Sequence, residues 1–305
     1  MKKCLSFVCI SILFFSCSNY FKDDYVDNSP TSGKLKVYCD EGLELHVKNQ
    51  AVTFESQYSN ASIEVICRSD AEAVEALYND SCKAIVISRP LTENEVKAFK
   101  SKDLNPLFTV VAYSGVALIT NIKTNVSKLA MIQLEQMLIQ PFVCTDSING
   151  STKISIVFES DRSSVVHYLK DSVIKGENFS QNCSALKNSQ EVINYVANTP
   201  NTIGFIDFAW LSDRDDSVFK ANSTKIKFIP IGRGDGVYFE PNQSSFKTGE
   251  YPLTRKVYVY RQASEFSLAK GFESFVAGPK GQTTFLKQGL LPTRQQERII
   301  QVKTQ

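Results

Sequence analysis

Two long β-rich stretches, residues 107–120 (LFTVVAYSGVALIT) and 251–260 (YPLTRKVYVY), interrupt a chain that otherwise alternates short strands with helices. Strands in globular proteins average about 5–6 residues, so segments of this length have more sheet to pair with than one small layer offers. Each is read as a crossing between two lobes. The crossings cut the chain into three pieces. The outer two, residues 35–112 and 251–305, combine into one lobe, and residues 113–250 form the other. Two lobes joined by two strands leave a cleft, the natural seat of a ligand and a hinge.

The pieces between the crossings carry the pattern of a parallel sheet covered by helices. Residues 35–39 (LKVYC), 63–67 (IEVIC) and 83–88 (KAIVIS) are β-branched runs. The segment between the first two repeats Leu43, Val47, Ala51, Phe54 and Tyr58 at helical spacing. Ser69 with Glu72 and Thr92 with Glu95 are capping boxes that open two further helices. In the middle piece, residues 154–158, 203–208 and 226–231 read as strands, with helices starting after Ser127, Ser163 and Ser189. Two helices close the chain. The fold class expected is α/β.

The first residues read as a targeting segment rather than fold. Lys2 and Lys3 precede an apolar run, residues 5–15, too short to span a bilayer, and Ser16-Cys17 follows. Residues 1–16 are expected to be a lipoprotein signal peptide, with Cys17 carrying the lipid and residues 17–34 forming a polar tether. The expected location is the bacterial cell envelope, on the periplasmic face or the outer membrane. Of eight cysteines, Cys39, Cys67, Cys82, Cys144 and Cys183 remain in the mature chain, with no Cys-x-x-Cys pair. That spacing and only two histidines, His46 and His167, point to no metal and no cofactor. A net charge of +2 gives no polyanion-binding signature, so nucleic acid is not an expected partner.

Four segments, in order, resemble the phosphate-type substrate-binding proteins of ABC importers, in their lipoprotein branch common in Bacteroidetes. They are residues 86–91 (VISRPL), 198–205 (NTPNTIGF), 251–255 (YPLTR), and Gly281-Gln282 with 289–292 (GLLP). The resemblance runs over roughly residues 35–300. It implies a two-lobed type II periplasmic-binding-protein fold with two hinge crossings, a monomer, and an ABC permease as partner.

It also implies a site in which helix N-termini and hydroxyls cradle a tetrahedral oxyanion. The first turn of a helix has unpaired N–H donors and a positive dipole end, and serine adds a donor without bulk. Four strand-to-helix turns offer this: Asp40-Glu41-Gly42, the turn at Ser69, Ser88-Arg89, and the segment Ser160 to Ser164 with Arg162 and Ser163. The last aligns with the family's phosphate loop, but Glu159 stands where the family has arginine and Val165 where it has threonine. Arg162 or Arg89 is expected to supply the missing charge. An acceptor carboxylate from Asp40, Glu41 or Asp161 would favour a protonated oxyanion.

The expected function is therefore capture of a small oxyanion, phosphate above all, by a binding protein without enzymatic activity. Ser163 and His167 share a helix, but nothing in the spacing marks them as nucleophile and base. The alternative carried by Glu159 is the same fold holding a non-phosphate solute, or serving as a surface or sensory lipoprotein without transport.

Overall fold

A computed structural model describes residues 29–141, 143–146, 150–264 and 266–294. The expected signal segment, the Cys17 anchor, most of the tether, and residues 295–305 lie outside these.

β1 (Gly33–Asp40) turns Leu35, Val37 and Cys39 inward and Lys34 and Lys36 outward, the two-residue period of a strand on a core. A 3₁₀ turn, Glu41–Leu43, leads into α1 (Glu44–Gln57), which buries Val47, Ala51 and Phe54. β2 (Ala61–Arg68), α2 (Asp70–Tyr78), β3 (Ala84–Ile87) and α3 (Glu93–Ser101) follow. Both capping boxes form: Ser69 and Thr92 accept from the N–H groups of Glu72 and Glu95, whose carboxylates bond back. β4 (Leu107–Asn121) is the first crossing strand.

The middle piece continues with β5 (Leu129–Ala130), α4 (Met131–Ile139), a hairpin of β6 (Val143–Asp146) and β7 (Gly150–Lys153), and β8 (Ser155–Glu159). α5 (Ser164–Tyr168) runs on as a π-helical stretch, Leu169–Val173. Then come β9 (Cys183–Leu186), α6 (Ser189–Asn198), β10 (Thr202–Asp207), α7 (Ala209–Ser212) and α8 (Ser217–Asn222). β11 (Ile226–Phe228), β12 (Ile231–Gly232) and α9 (Gln243–Lys247) end it. The chain returns along β13 (Thr254–Arg261) and finishes with α10 (Leu268–Val276), α11 (Pro279–Lys287) and β14 (Leu291–Pro292).

The result is a two-lobed α/β molecule in which β4 belongs to both sheets. One sheet has the order β2-β1-β3-β13-β4, the other β4-β10-β8-β9. β1, β2 and β3 are mutually parallel, as are β8, β9 and β10, while the crossing strands β4 and β13 run antiparallel to their neighbours. β4 pairs with β13 up to Gly115 and with β10 from Val116 onward. At that change of partner the Val116 N–H donates to Leu253 O at 3.0 Å and the Phe208 N–H to Gly115 O at 2.8 Å. A Cβ on Gly115 would lie 2.9 Å from Leu253 O, so only glycine lets the strands pass this closely.

Residues 226–231, expected as one strand, form two. Pro230 has no N–H for a ladder. β11 pairs with β4 before it, and β12 pairs with β5 after it. One apolar core runs through both lobes, and a smaller one lies under α2 and α3 around Val74, Leu77, Ile85 and Phe99.

Candidate ligand-binding site

Strand ends from both lobes meet at one buried polar cluster. Asp40 closes β1. Its Oδ1 accepts from the Gly42 N–H at 3.3 Å and its Oδ2 from the Ser88 hydroxyl at 3.0 Å. Arg255, on β13, reaches to the other lobe. Its Nη1 donates to Ser164 Oγ at 3.0 Å, and its Nη2 pairs with Asp207 at the end of β10. Asp207 also accepts from the Ser114 hydroxyl at 2.5 Å and from the Ala209 N–H at 2.9 Å. Glu159, ending β8, accepts from the Ser189 hydroxyl. Asp40, Ser88, Ser114, Glu159, Ser164, Asp207 and Arg255 are all buried.

One guanidinium faces three carboxylates here, and burial raises the pKa of two of them, Asp40 and Glu159. It pushes Asp40 up to about 6, against the pull of the Arg255 charge and a hydrogen bond from Ser164. It pushes Glu159 up to about 8, with the Asp40 charge adding to it and the Ser189 hydroxyl opposing it. Glu159 therefore carries its proton at neutral pH, when it can donate a hydrogen bond and repels no anion. For Arg255, burial works against the charge, but Asp207 and Asp40 outweigh it and hold the guanidinium ionised. Arg255 Nε and Glu159 Oε1 are buried without a hydrogen-bond partner. They add an unmet donor and an unmet carboxyl oxygen to the cluster.

Of the residues singled out from sequence, Asp40, Gly42, Ser88 and Ser164 are gathered in this cluster. Glu41 is half-buried and opens the 3₁₀ turn beside it. Ser163 caps α5: its oxygen accepts from the Val166 N–H at 3.2 Å, and its hydroxyl donates to Glu159 O at 3.3 Å. Ser160 accepts from the Arg162 N–H at 3.3 Å, and Arg162 itself is exposed. Ser69 is occupied in the α2 capping box. Arg89 directs its donors within its own lobe, to Asp70 and, as a fork, to both Glu95 oxygens at 2.7 and 2.8 Å. The cation in the cluster is thus Arg255 rather than Arg89 or Arg162.

Arg255, Asp207 and Ser114 were not singled out from sequence, although two carried a signal. Arg255 sits in the YPLTR motif on the inward face that Val257 and Val259 share. A charge at an inward position of an alternating strand is buried for a reason. Asp207 likewise follows the apolar run 203–206 and ends a strand buried along its whole length. Ser114 carried no signal, because a serine inside a long strand is unremarkable until its neighbours are known.

A second contact joins the lobes. Asp70 Oδ1, at the start of α2, meets His167 Nδ1 on α5 at 3.1 Å. The hydrogen bond to Asp70 raises the His167 pKa above its ordinary value. For Asp70, burial is outweighed by His167 and Arg89, and its pKa falls. The ion pair is therefore fully present between the two displaced values and is lost as pH rises through the raised His167 pKa. The His167 side chain is 37% exposed, so its worth is that of a partly solvated pair, about 0.5 kcal/mol. His167→Ala is expected to weaken ligand binding roughly two- to threefold at pH 6 and leave it unchanged near pH 9, in calorimetric titrations at both values.

Gly42 decides how closely the lobes approach. A Cβ there would lie 2.7 Å from Asp207 Cβ, and Asp207 is fixed by Arg255, Ser114 and the Ala209 N–H. Gly42→Ala is expected to hold the lobes apart and cost roughly tenfold in ligand affinity, read by titration, with the thermal midpoint of the ligand-free protein changed little.

The comparisons with known proteins agree with this architecture. The PBP superfamily domain is matched over residues 27–280. The chain is 21% identical over 288 residues to the phosphate-binding protein PstS of Pseudomonas aeruginosa strain PAO1, covering 88% of this chain and 86% of that one. Among solved structures, it is similar to a protein from Clostridium perfringens, assigned as a phosphate ABC transporter substrate-binding protein and solved with bound phosphate. The TM-score is 0.71 at 18% identity, covering 86% of this chain and 100% of that one. It is also similar to an ABC-type phosphate transport receptor from Vibrio cholerae, with a TM-score of 0.64 at 15% identity, covering 85% and 100%. The match over most of the chain and the two-lobed architecture lead to one conclusion: the chain belongs to the PBP superfamily.

Proposed function

We propose that the protein is a solute-binding protein that closes its lobes on a small oxyanion, phosphate in first place, and presents it to an ABC permease. The observation that carries the reading is Arg255, a buried guanidinium that extends from one lobe to Ser164 and Asp207 of the other and keeps one N–H without a partner. A planar fork of donors suits phosphate or carboxylate oxygens. Asp40, Gly42, Ser88 and Ser164 complete the cradle. The phosphate-binding names of the relatives support the choice of ion. A protonated Glu159 in the family's arginine position makes the site compatible with an anion, since it donates rather than repels.

The lobes in this reading are residues 35–112 with 251–305, and 113–250, moving about the strand crossings near Gly115 and Leu253. Cys17 carries a lipid that holds the protein at the envelope as a monomer. No helix among the described residues is long and apolar enough to cross a membrane. The protein binds rather than catalyses: Ser164 is engaged by Arg255, Ser163 caps a helix, and His167 is engaged by Asp70.

Isothermal titration with phosphate, sulfate, small carboxylates and a cationic amine tests the proposal. Phosphate is expected to bind with a Kd of about 1 μM or tighter and sulfate at least roughly 100-fold more weakly, because a fully ionised sulfate has no proton for Asp40 or Asp207 to accept. Silence with every oxyanion overturns it. The surplus of carboxylates favours a second reading, a receptor for a cationic or hydroxyl-rich solute, and heat with the amine alone would select it.

A further inference from the structure

β1 and β2 run parallel and in register, and that register sets Cys39 directly beside Cys67. Neighbouring strands lie about 4.7–4.9 Å apart, inside the roughly 4.4–6.8 Å that separates the Cα atoms of bridged cysteines. Partner residues on such strands point to the same face of the sheet. The side chains complete the approach: the two Sγ atoms are 2.8 Å apart, with both residues present as thiols. That separation is shorter than two unbonded sulfurs hold at rest.

Cys82 and Cys183 have no such neighbour. Cys82 lies in the small core under α2, bonded to the backbone of Tyr38 and Ala84. Cys183 is in the other lobe, against Leu138 O at 3.7 Å. Cys39 is fully buried and Cys67 half-buried, so an oxidant reaches Cys67 first.

We propose that Cys39 and Cys67 form a disulfide when the chain meets a disulfide-bearing oxidant outside a reducing compartment. The Cys67 thiolate attacks the oxidant's disulfide, forming a mixed disulfide and expelling one thiolate. The Cys39 thiolate then attacks Cys67 Sγ and expels the second. Two protons and two electrons leave the protein, and the oxidant departs as two thiols. The bridge staples the carboxyl ends of β1 and β2, next to Asp40 on one strand and just before the Ser69–Asp70 helix start on the other. It closes a loop of 28 residues in sequence separation and restricts the unfolded chain accordingly. The proposal does not depend on which solute the cleft holds.

The test treats the purified, folded protein with oxidised glutathione, then denatures it in acid, alkylates it and digests it without reduction. The expected product is a linked pair of peptides carrying Cys39 and Cys67, which separates on reduction. The oxidised protein is expected to melt roughly 5–10 °C above its reduced form, and Cys67→Ser, at the half-buried position, to lose both the linked peptides and that redox-dependent difference. Alkylation of both thiols after oxidation, a glutathione adduct that never resolves, or a link from either cysteine to a different one overturns the bridge. A linked pair with no change in melting overturns its role as a staple.

Discussion

Arg255→Ala is expected to destabilise the protein by about 3–5 kcal/mol and to abolish anion binding. The guanidinium is buried with Asp207 and Asp40, and its removal leaves these carboxylates with no cation among them. Breaking a buried ion pair by removing one partner costs more than the pair contributes, because the orphaned charge keeps its desolvation penalty. Urea unfolding with and without phosphate, alongside calorimetric titration, measures both effects. Arg255→Lys separates charge from geometry. It is expected to recover most of the stability but to bind phosphate at least roughly tenfold more weakly, because an ammonium cannot hold Ser164, Asp207 and an oxyanion in one plane. An alanine variant that bound phosphate within a few-fold of the parent would remove Arg255 from the site.

Stability of the ligand-free protein is expected to fall as pH rises from about 5 to about 8.5, a slope opposite to ordinary acid denaturation. Glu159 titrates near 8 in the folded chain against an ordinary 4.5, and Asp40 near 6 against 3.8. Both are raised, so between those limits the folded state holds protons that the unfolded state has released. Their contribution is fully present below the ordinary carboxylate values and is lost as pH climbs through 6 and then 8. The Glu159 part is on the order of 3–5 kcal/mol. For Asp70, Glu95 and Glu273, burial is outweighed by His167, Arg89 and Thr109 respectively. Their losses fall below the ordinary carboxylate range. On the alkaline limb, the raised Glu41 and His167 add smaller, partly solvated losses of the same sign to those of Glu159 and Asp40. Burial lowers the His46 pKa, which opposes them only up to its ordinary value of 6.5. Glu159→Gln keeps the shape and a donor while removing the titration. It is expected to flatten most of the slope and to exceed the parent in stability at pH 8.5. Denaturant midpoints at pH 5, 7 and 8.5 decide this, and a flat parent profile would show that Glu159 is not buried as a proton carrier.

The two-lobed frame was legible because its cues are local. Helix-opening pairs such as Ser69 with Glu72 and Thr92 with Glu95 act within one turn, and the inward and outward alternation of β1 shows in five residues. The excess length of β4 is likewise visible without coordinates, and it marks the crossing. Pro230 should have divided the strand over 226–231, because a missing N–H is as local a fact as any.

What the chain alone determined about the site was its parts: turns after strands, serines at helix starts, and the carboxylate of Glu159 at the end of an apolar strand. Which of those parts face one another was decided by the crossing of β4 and β13. That crossing carries Arg255 some 91 residues along the chain to Ser164 and 48 to Asp207. Arg89 and Arg255 read alike as arginines near strand ends, yet one is taken up by Asp70 and Glu95 of its own lobe and the other spans the cleft. Charge placement depends on burial and on partners distant in sequence, and both exist only once the lobes have closed on each other.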